Sequence, residues 1–113
     1  MDAKKRRKLE AAGWKVGYAA EFLGLTPEEA EFVQLKLALA EGLREERETQ
    51  NLTQAEFAQR VGSSQSRVAK MEAADPSVSV DLLVRSLLKL GARRRDVARL
   101  VNRERRHTVK GTA

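Results

Sequence analysis

Apolar residues recur every three or four positions throughout the chain, and no stretch shows the β-branched alternation of a half-buried strand, so the pattern predicts an all-α protein. A basic segment at about residues 3–12 comes first, followed after Gly13 by a short helix at about 18–23 that stops at Gly24; together they form a helical N-terminal extension over 1–25. Thr26, Pro27 and Glu29 then make a strong helix start: the hydroxyl caps, the ring presets φ, and the carboxylate reaches back. The helix that follows is expected to run to about residue 48, burying Phe32, Leu35, Leu39 and Leu43 in one stripe, with Val33, Leu37 and Ala40 beside it and glutamates outside. A second capping box, Thr53 to Glu56, opens a short helix with Phe57, Ala58 and Val61 on one face, ended by Gly62. Ser64 caps a helix at about 65–73 with Val68 and Met71 inward and Gln65, Ser66, Arg67 and Lys70 outward. Past Pro76 and the Ser77 to Ser79 turn, an apolar helix spans about 80–90 and ends at Gly91; a basic helix at about 93–106, around Val97 and Val101, precedes a flexible tail at 107–113.

Composition narrows what such a bundle can do. A chain of 113 residues, 42% hydrophobic, supports one core and not two. Without cysteine there is no disulfide, thiolate nucleophile or cysteine-based metal site, and the single His107, in a basic tail, leaves no imidazole cluster. The expectation is therefore a protein that is not an enzyme and needs no cofactor. No apolar run approaches the roughly 20 residues of a membrane helix, and the basic start lacks the apolar stretch of a secretion signal, so a cytoplasmic location is expected. The 22 basic against 16 acidic side chains give a net charge of +6, which favours polyanionic partners.

That charge is uneven. Residues 1–20 hold six basic and two acidic groups, 21–52 three and eight, 53–92 five and four, and 93–113 eight and two. The basic ends are either solvated tails or sources of sequence-independent phosphate contacts. The acidic face with Glu28, Glu41, Glu45 and Glu48 is either solvated or an attraction for a cationic protein. Trp14, Tyr18 and Phe22, at four-residue spacing, either pack on the chain's own long helix or dock a second protein.

The most specific chemistry lies in residues 53–72, TQAEFAQRVGSSQSRVAKME. Two short helices meet at a Gly-containing turn, and the second offers amides and cations above an apolar underside, which is what insertion of a helix edge into a DNA major groove requires. A compact pair of helices with a purely structural role would share the small Ala58, the Gly62 turn and the apolar seam, but would have no use for polar groups in that first turn. Gln amides match adenine N6 and N7, Lys70 suits guanine acceptors, and Arg67 suits guanine or phosphate. The candidate DNA-binding residues are Thr53, Gln54, Ser64, Gln65, Ser66, Arg67 and Lys70.

Residues 44–90, with the Leu52, Thr53, Gln54 opening, resemble the phage-repressor-type (Xre) helix-turn-helix family. The resemblance implies a five-helix repressor-type domain, here 26–106, that works as a homodimer on double-stranded DNA bearing a palindromic operator. It places Gln54 on the phosphate backbone and Gln65, Ser66 and Lys70 on bases, and it implies a buried, structural Arg47 to Glu72 pair. The run 63–92 together with the opening helix resembles HigA-type antitoxins. This second resemblance implies a repressor that autoregulates its operon and neutralises a ribonuclease toxin; a stand-alone transcriptional regulator is the alternative.

Overall fold

Four of the five described helices begin where a Ser or Thr hydroxyl takes up an amide that no preceding turn satisfies. In the computed structural model, which describes residues 24–103, these starts and their stops delimit five helices: α1 Pro27–Thr49, α2 Gln54–Val61, α3 Gln65–Glu72, α4 Val80–Lys89 and α5 Arg94–Asn102. No strand occurs among the described residues. The Thr26 hydroxyl accepts the Glu29 amide at 3.1 Å while the Glu29 carboxylate accepts the Thr26 amide at 3.0 Å. Thr53 and Glu56 repeat this reciprocal box at α2, and Ser64 and Ser79 cap α3 and α4. At α5 it is the Asp96 carboxylate that takes the Arg93 amide, at 2.8 Å. The expected segments at 3–12 and 18–23, the Trp14, Tyr18 and Phe22 stripe, and the 107–113 tail lie outside the described residues.

The first four helices end alike, with one residue in the left-handed region and the next amide reaching back five residues: Leu52 to Arg47, Ser63 to Ala58, Asp75 to Lys70 and Ala92 to Leu87, at 2.8–3.1 Å. At the α2 end this residue is Gly62, φ +72°, where any side chain would strain the turn that sets α3 across α2.

The 23-residue α1 is the spine, and α3, α4 and α5 all pack on it while α2 and α3 pack on each other. Its middle is surrounded, so every residue from Lys36 to Ala40 is buried, as are Gly42 and Leu43. Phe57, fully buried, joins Leu39, Leu43, Met71, Leu83 and Leu87 among the largest core side chains; truncating such an aromatic ring costs about 3–5 kcal/mol. The buried Lys36 satisfies its ammonium on the Asp75 carbonyl at 3.0 Å, tying α1 to the loop after α3. Gln50 donates to the Leu90 carbonyl at 2.7 Å and fixes the end of α4.

Three expectations need correction. The stripe through Phe32, Leu35, Leu39 and Leu43 fades toward the start of α1: Leu35 is half-buried and Phe32 is 42% exposed. At 1.5 Å per residue α1 extends about 34 Å, more than twice its partner helices, so its first turns outrun the described surface they would pack on. The last helix turns Val97 and Leu100 inward and leaves Val101 exposed. It also stops at Asn102, because Arg103 is extended at φ −80°, ψ 135° and its guanidinium is drawn across to the carboxylates of α1.

Candidate nucleic-acid interface

The α2–α3 pair is welded from beneath by Ala58, Val61, Val68 and Met71, all buried, with the Met71 sulfur also receiving the Ser86 hydroxyl at 3.4 Å. What remains above is polar: Gln65, Ser66, Arg67 and Lys70 are exposed. Thr53 and Ser64 are exposed as well, but their hydroxyls accept the Glu56 and Arg67 amides and so set the helix starts. At 100° per residue Gln65 and Arg67 fall on opposite flanks of α3, with Ser66 and Lys70 on the crest between them. Neither Arg67 nor Lys70 makes an ion pair among the described residues.

Beneath Gln65 runs a chain of hydrogen bonds that begins on α1. Arg47 grips Glu72 through two nitrogens, at 2.6 and 3.0 Å, and gives a third bond to the Leu52 carbonyl at 2.8 Å. The pair is largely withdrawn from water, with side chains 13% and 6% exposed. The hydrogen bond to Glu72 raises the Arg47 pKa above its already high ordinary value, outweighing burial, so the guanidinium stays charged. Gln54 donates its amide nitrogen to Glu72 at 3.1 Å, and Gln65 donates its own to the Gln54 oxygen at 3.3 Å.

The polarity of this chain is fixed by one fact: a carboxylate only accepts. Gln54 must therefore turn its NH2 to Glu72 and its oxygen to Gln65, and Gln65 must answer with an N–H. The free edge of Gln65 is then one oxygen acceptor beside one remaining N–H, the complement of adenine N6 and N7 in the major groove. The sequence-expected Arg47–Glu72 pair is present, but it does more than orient helices, since it anchors the amide chain that ends on the exposed first turn of α3. Only Gln54, among the residues placed on DNA by sequence, is partly buried, where it links the pair below to Gln65 above.

The opposite side of α1 has a different electrostatic character. Arg103 holds Glu45 at 2.9 and 3.3 Å and reaches Glu41 at 3.5 Å, and Arg99 holds Asp96 at 2.6 Å. Of the acidic face seen in the sequence, Glu41 and Glu45 thus meet Arg103, and Glu48 meets Arg44. Of the C-terminal basic residues, Arg103 is engaged here, while Arg105, Arg106 and His107 lie outside the described residues. The Asp96 carboxyl is held below the usual range by the Arg93 amide and then by Arg99. Among the described residues no group of His, Asp and Glu is placed to hold a metal ion, and no helix is long and apolar enough to cross a membrane.

A family model described as Helix-turn-helix matches residues 43–101, just over half of the chain, from the second half of α1 to the last turn of α5. No curated protein and no solved structure matches.

Proposed function

We propose, since this chain belongs to the phage-repressor-like helix-turn-helix family and is a DNA-binding transcriptional regulator, that it is a sequence-specific repressor which inserts α3 into the major groove. The observation that carries this reading is the exposed first turn of α3 above a fully satisfied hydrogen-bond chain. Gln65 reads adenine, Lys70 reads guanine, Ser66 completes the base-facing edge, and Arg67 meets phosphate. Thr53, Gln54 and Ser64 bring the starts of α2 and α3 to the backbone. The protein catalyses no reaction and requires no cofactor.

The chain acts as a homodimer on a palindromic operator, its two α3 helices about 34 Å apart in successive major grooves. An α5 with no buried residue and an exposed Val101, beside an α4 with an exposed Leu88, suits a subunit face. The further reading as an antitoxin that silences its own operon rests on the HigA-type resemblance of residues 63–92 and on the exposed glutamates of α1, which suit a cationic toxin. Co-expression with the product of the adjacent reading frame decides this point: relief of growth arrest supports the antitoxin, and failure to co-purify leaves a stand-alone regulator.

DNase footprinting on the DNA upstream of the protein's own gene tests the repressor reading. A protected palindrome that Gln65→Ala loses, while binding to random duplex persists, is expected. Equal loss on both DNAs would reject base reading by this residue.

A further inference from the structure

The geometry points to Arg44 as a phosphate anchor that extends the DNA-binding surface from the α2–α3 unit onto α1. This inference rests on α3 being the helix that enters the groove. An open notch of about 320 Å³ lies where α1, α2 and α3 meet, lined by Arg44, Arg47, Gln54, Ala69, Glu72 and Ala73. Small side chains on the α3 wall keep it open: Ala69 and Ala73 follow Gln65 along that flank at helical spacing. A duplex whose major groove holds α3 must run one sugar-phosphate strand along each flank of the helix. Arg67 serves one flank. On the other, Gln54 is partly buried, and the exposed cation at the notch is Arg44, with its side chain 62% exposed.

The notch's charges favour this role once they are paired off. Glu72, on the floor, is neutralised by Arg47 and bonded by Gln54, so its carboxylate is not left facing a phosphate. Arg44 is held by Glu48 at 3.2 Å, one turn along the exposed surface of α1, and Glu48 also lies 4.0 Å from Arg47. An exposed i,i+4 pair of this kind is weak, and a guanidinium binds phosphate as readily as carboxylate. Glu48 therefore acts as a placeholder: in the free protein it holds the Arg44 guanidinium at the mouth of the notch, and on DNA it gives way to a backbone oxygen. The contact is blind to sequence and adds affinity and register rather than base choice.

The test measures binding of the full chain to two fluorescent duplexes, the region upstream of its own gene and a random sequence, across a salt series. Arg44→Gln is expected to weaken both by a similar factor, roughly five- to tenfold at 0.1 M salt, and to lower the slope of log K against log salt by about 0.9, one phosphate's share. Arg44→Lys should keep most of the slope. Glu48→Gln, which leaves the arginine in place, should tighten both duplexes a few-fold. If Arg44→Gln binds like wild type while Arg67→Gln loses affinity, the anchor is overturned and the DNA-binding reading stands. If Arg67→Gln and Lys70→Gln are silent too, or the wild-type chain binds neither duplex, both fall.

Discussion

The two sides of α1 put their arginines to different uses. Toward α3, the largely withdrawn Arg47 is matched to Glu72, and the cations above it, Arg67 and Lys70, make no ion pair among the described residues. Toward α5, Arg99 and Arg103 are each tied to acids while Arg93, Arg94 and Arg95 stay exposed, and Glu41 and Glu45 are the acids that α1 turns to that side. Residues 45 and 47 lie about 160° apart around the helix, so one spine separates the two regimes. A net charge of +6 favours a polyanionic partner, and the pairing pattern shows which cations the fold itself occupies. On the α3 side the exposed Arg67 and Lys70 make no ion pair among the described residues, whereas Arg103 is spent on joining the end of α5 to α1.

Substitutions on the two sides should accordingly fail in different assays. The largest effect belongs to Glu72→Ala, which strands the Arg47 guanidinium in a poorly hydrated seat and should cost about 3–5 kcal/mol in urea denaturation. It should also release Gln54 and Gln65, so operator binding falls even at temperatures where the protein is folded. Next is Gly42→Val. A Cβ at Gly42 would sit 2.5 Å from the Leu100 side-chain methyls, so the Leu100 side chain must give way and loosen its packing on α1, at about 1–3 kcal/mol in the same measurement, with DNA binding by the folded protein intact. Gln65→Ala should leave the melting curve unchanged and remove about 1–3 kcal/mol of preference for operator over random duplex in competition titrations.

Arg103→Ala is expected to cost no more than about 1 kcal/mol, because the pairs it breaks are partly solvated, and to leave DNA affinity unaltered. A loss of DNA affinity from Arg103→Ala would erase the contrast between the two sides. The smallest effect concerns pH. Asp75, bonded by the hydroxyl and amide of Ser77 with lesser help from Lys70 and Lys36, has its pKa lowered from an ordinary 3.8. A depressed carboxylate contributes stability in full above its unfolded value and loses it as pH falls through the folded one. Asp75→Asn should flatten the acid limb of a stability-pH profile slightly below pH 4 and change nothing at neutrality.

How much of this the sequence disclosed depends on the range of the interaction. Helix starts were legible because Thr26, Thr53 and Ser64 act on amides three residues away, and the Gly62 stop is equally local. The five helices, the α2–α3 turn and the polar first turn of α3 follow from such signals. The exposure of Phe32 and Val101 is not legible in the sequence, because it depends on where neighbouring helices end, which periodicity does not encode. Arg103 finds partners 58 and 62 positions away, and no spacing rule reveals a pairing that tertiary packing creates. The bond from Gln65 to Gln54 lies between these cases: both amides were singled out, but their contact requires the angle at which Gly62 sets one helix on the other. The notch beside Arg44 is a property of three helices together and has no signature in any one of them.

Backbone amide NMR on the labelled chain, titrated with a duplex from upstream of its own gene, tests the two-sided picture most directly. The account predicts that the largest shifts fall on residues 53–54 and 64–70, with a further group near Arg44, and that α5 stays still apart from any subunit contact. Shifts concentrated on Arg93–Arg95, Arg99 and Arg103, with α3 unmoved, would contradict it.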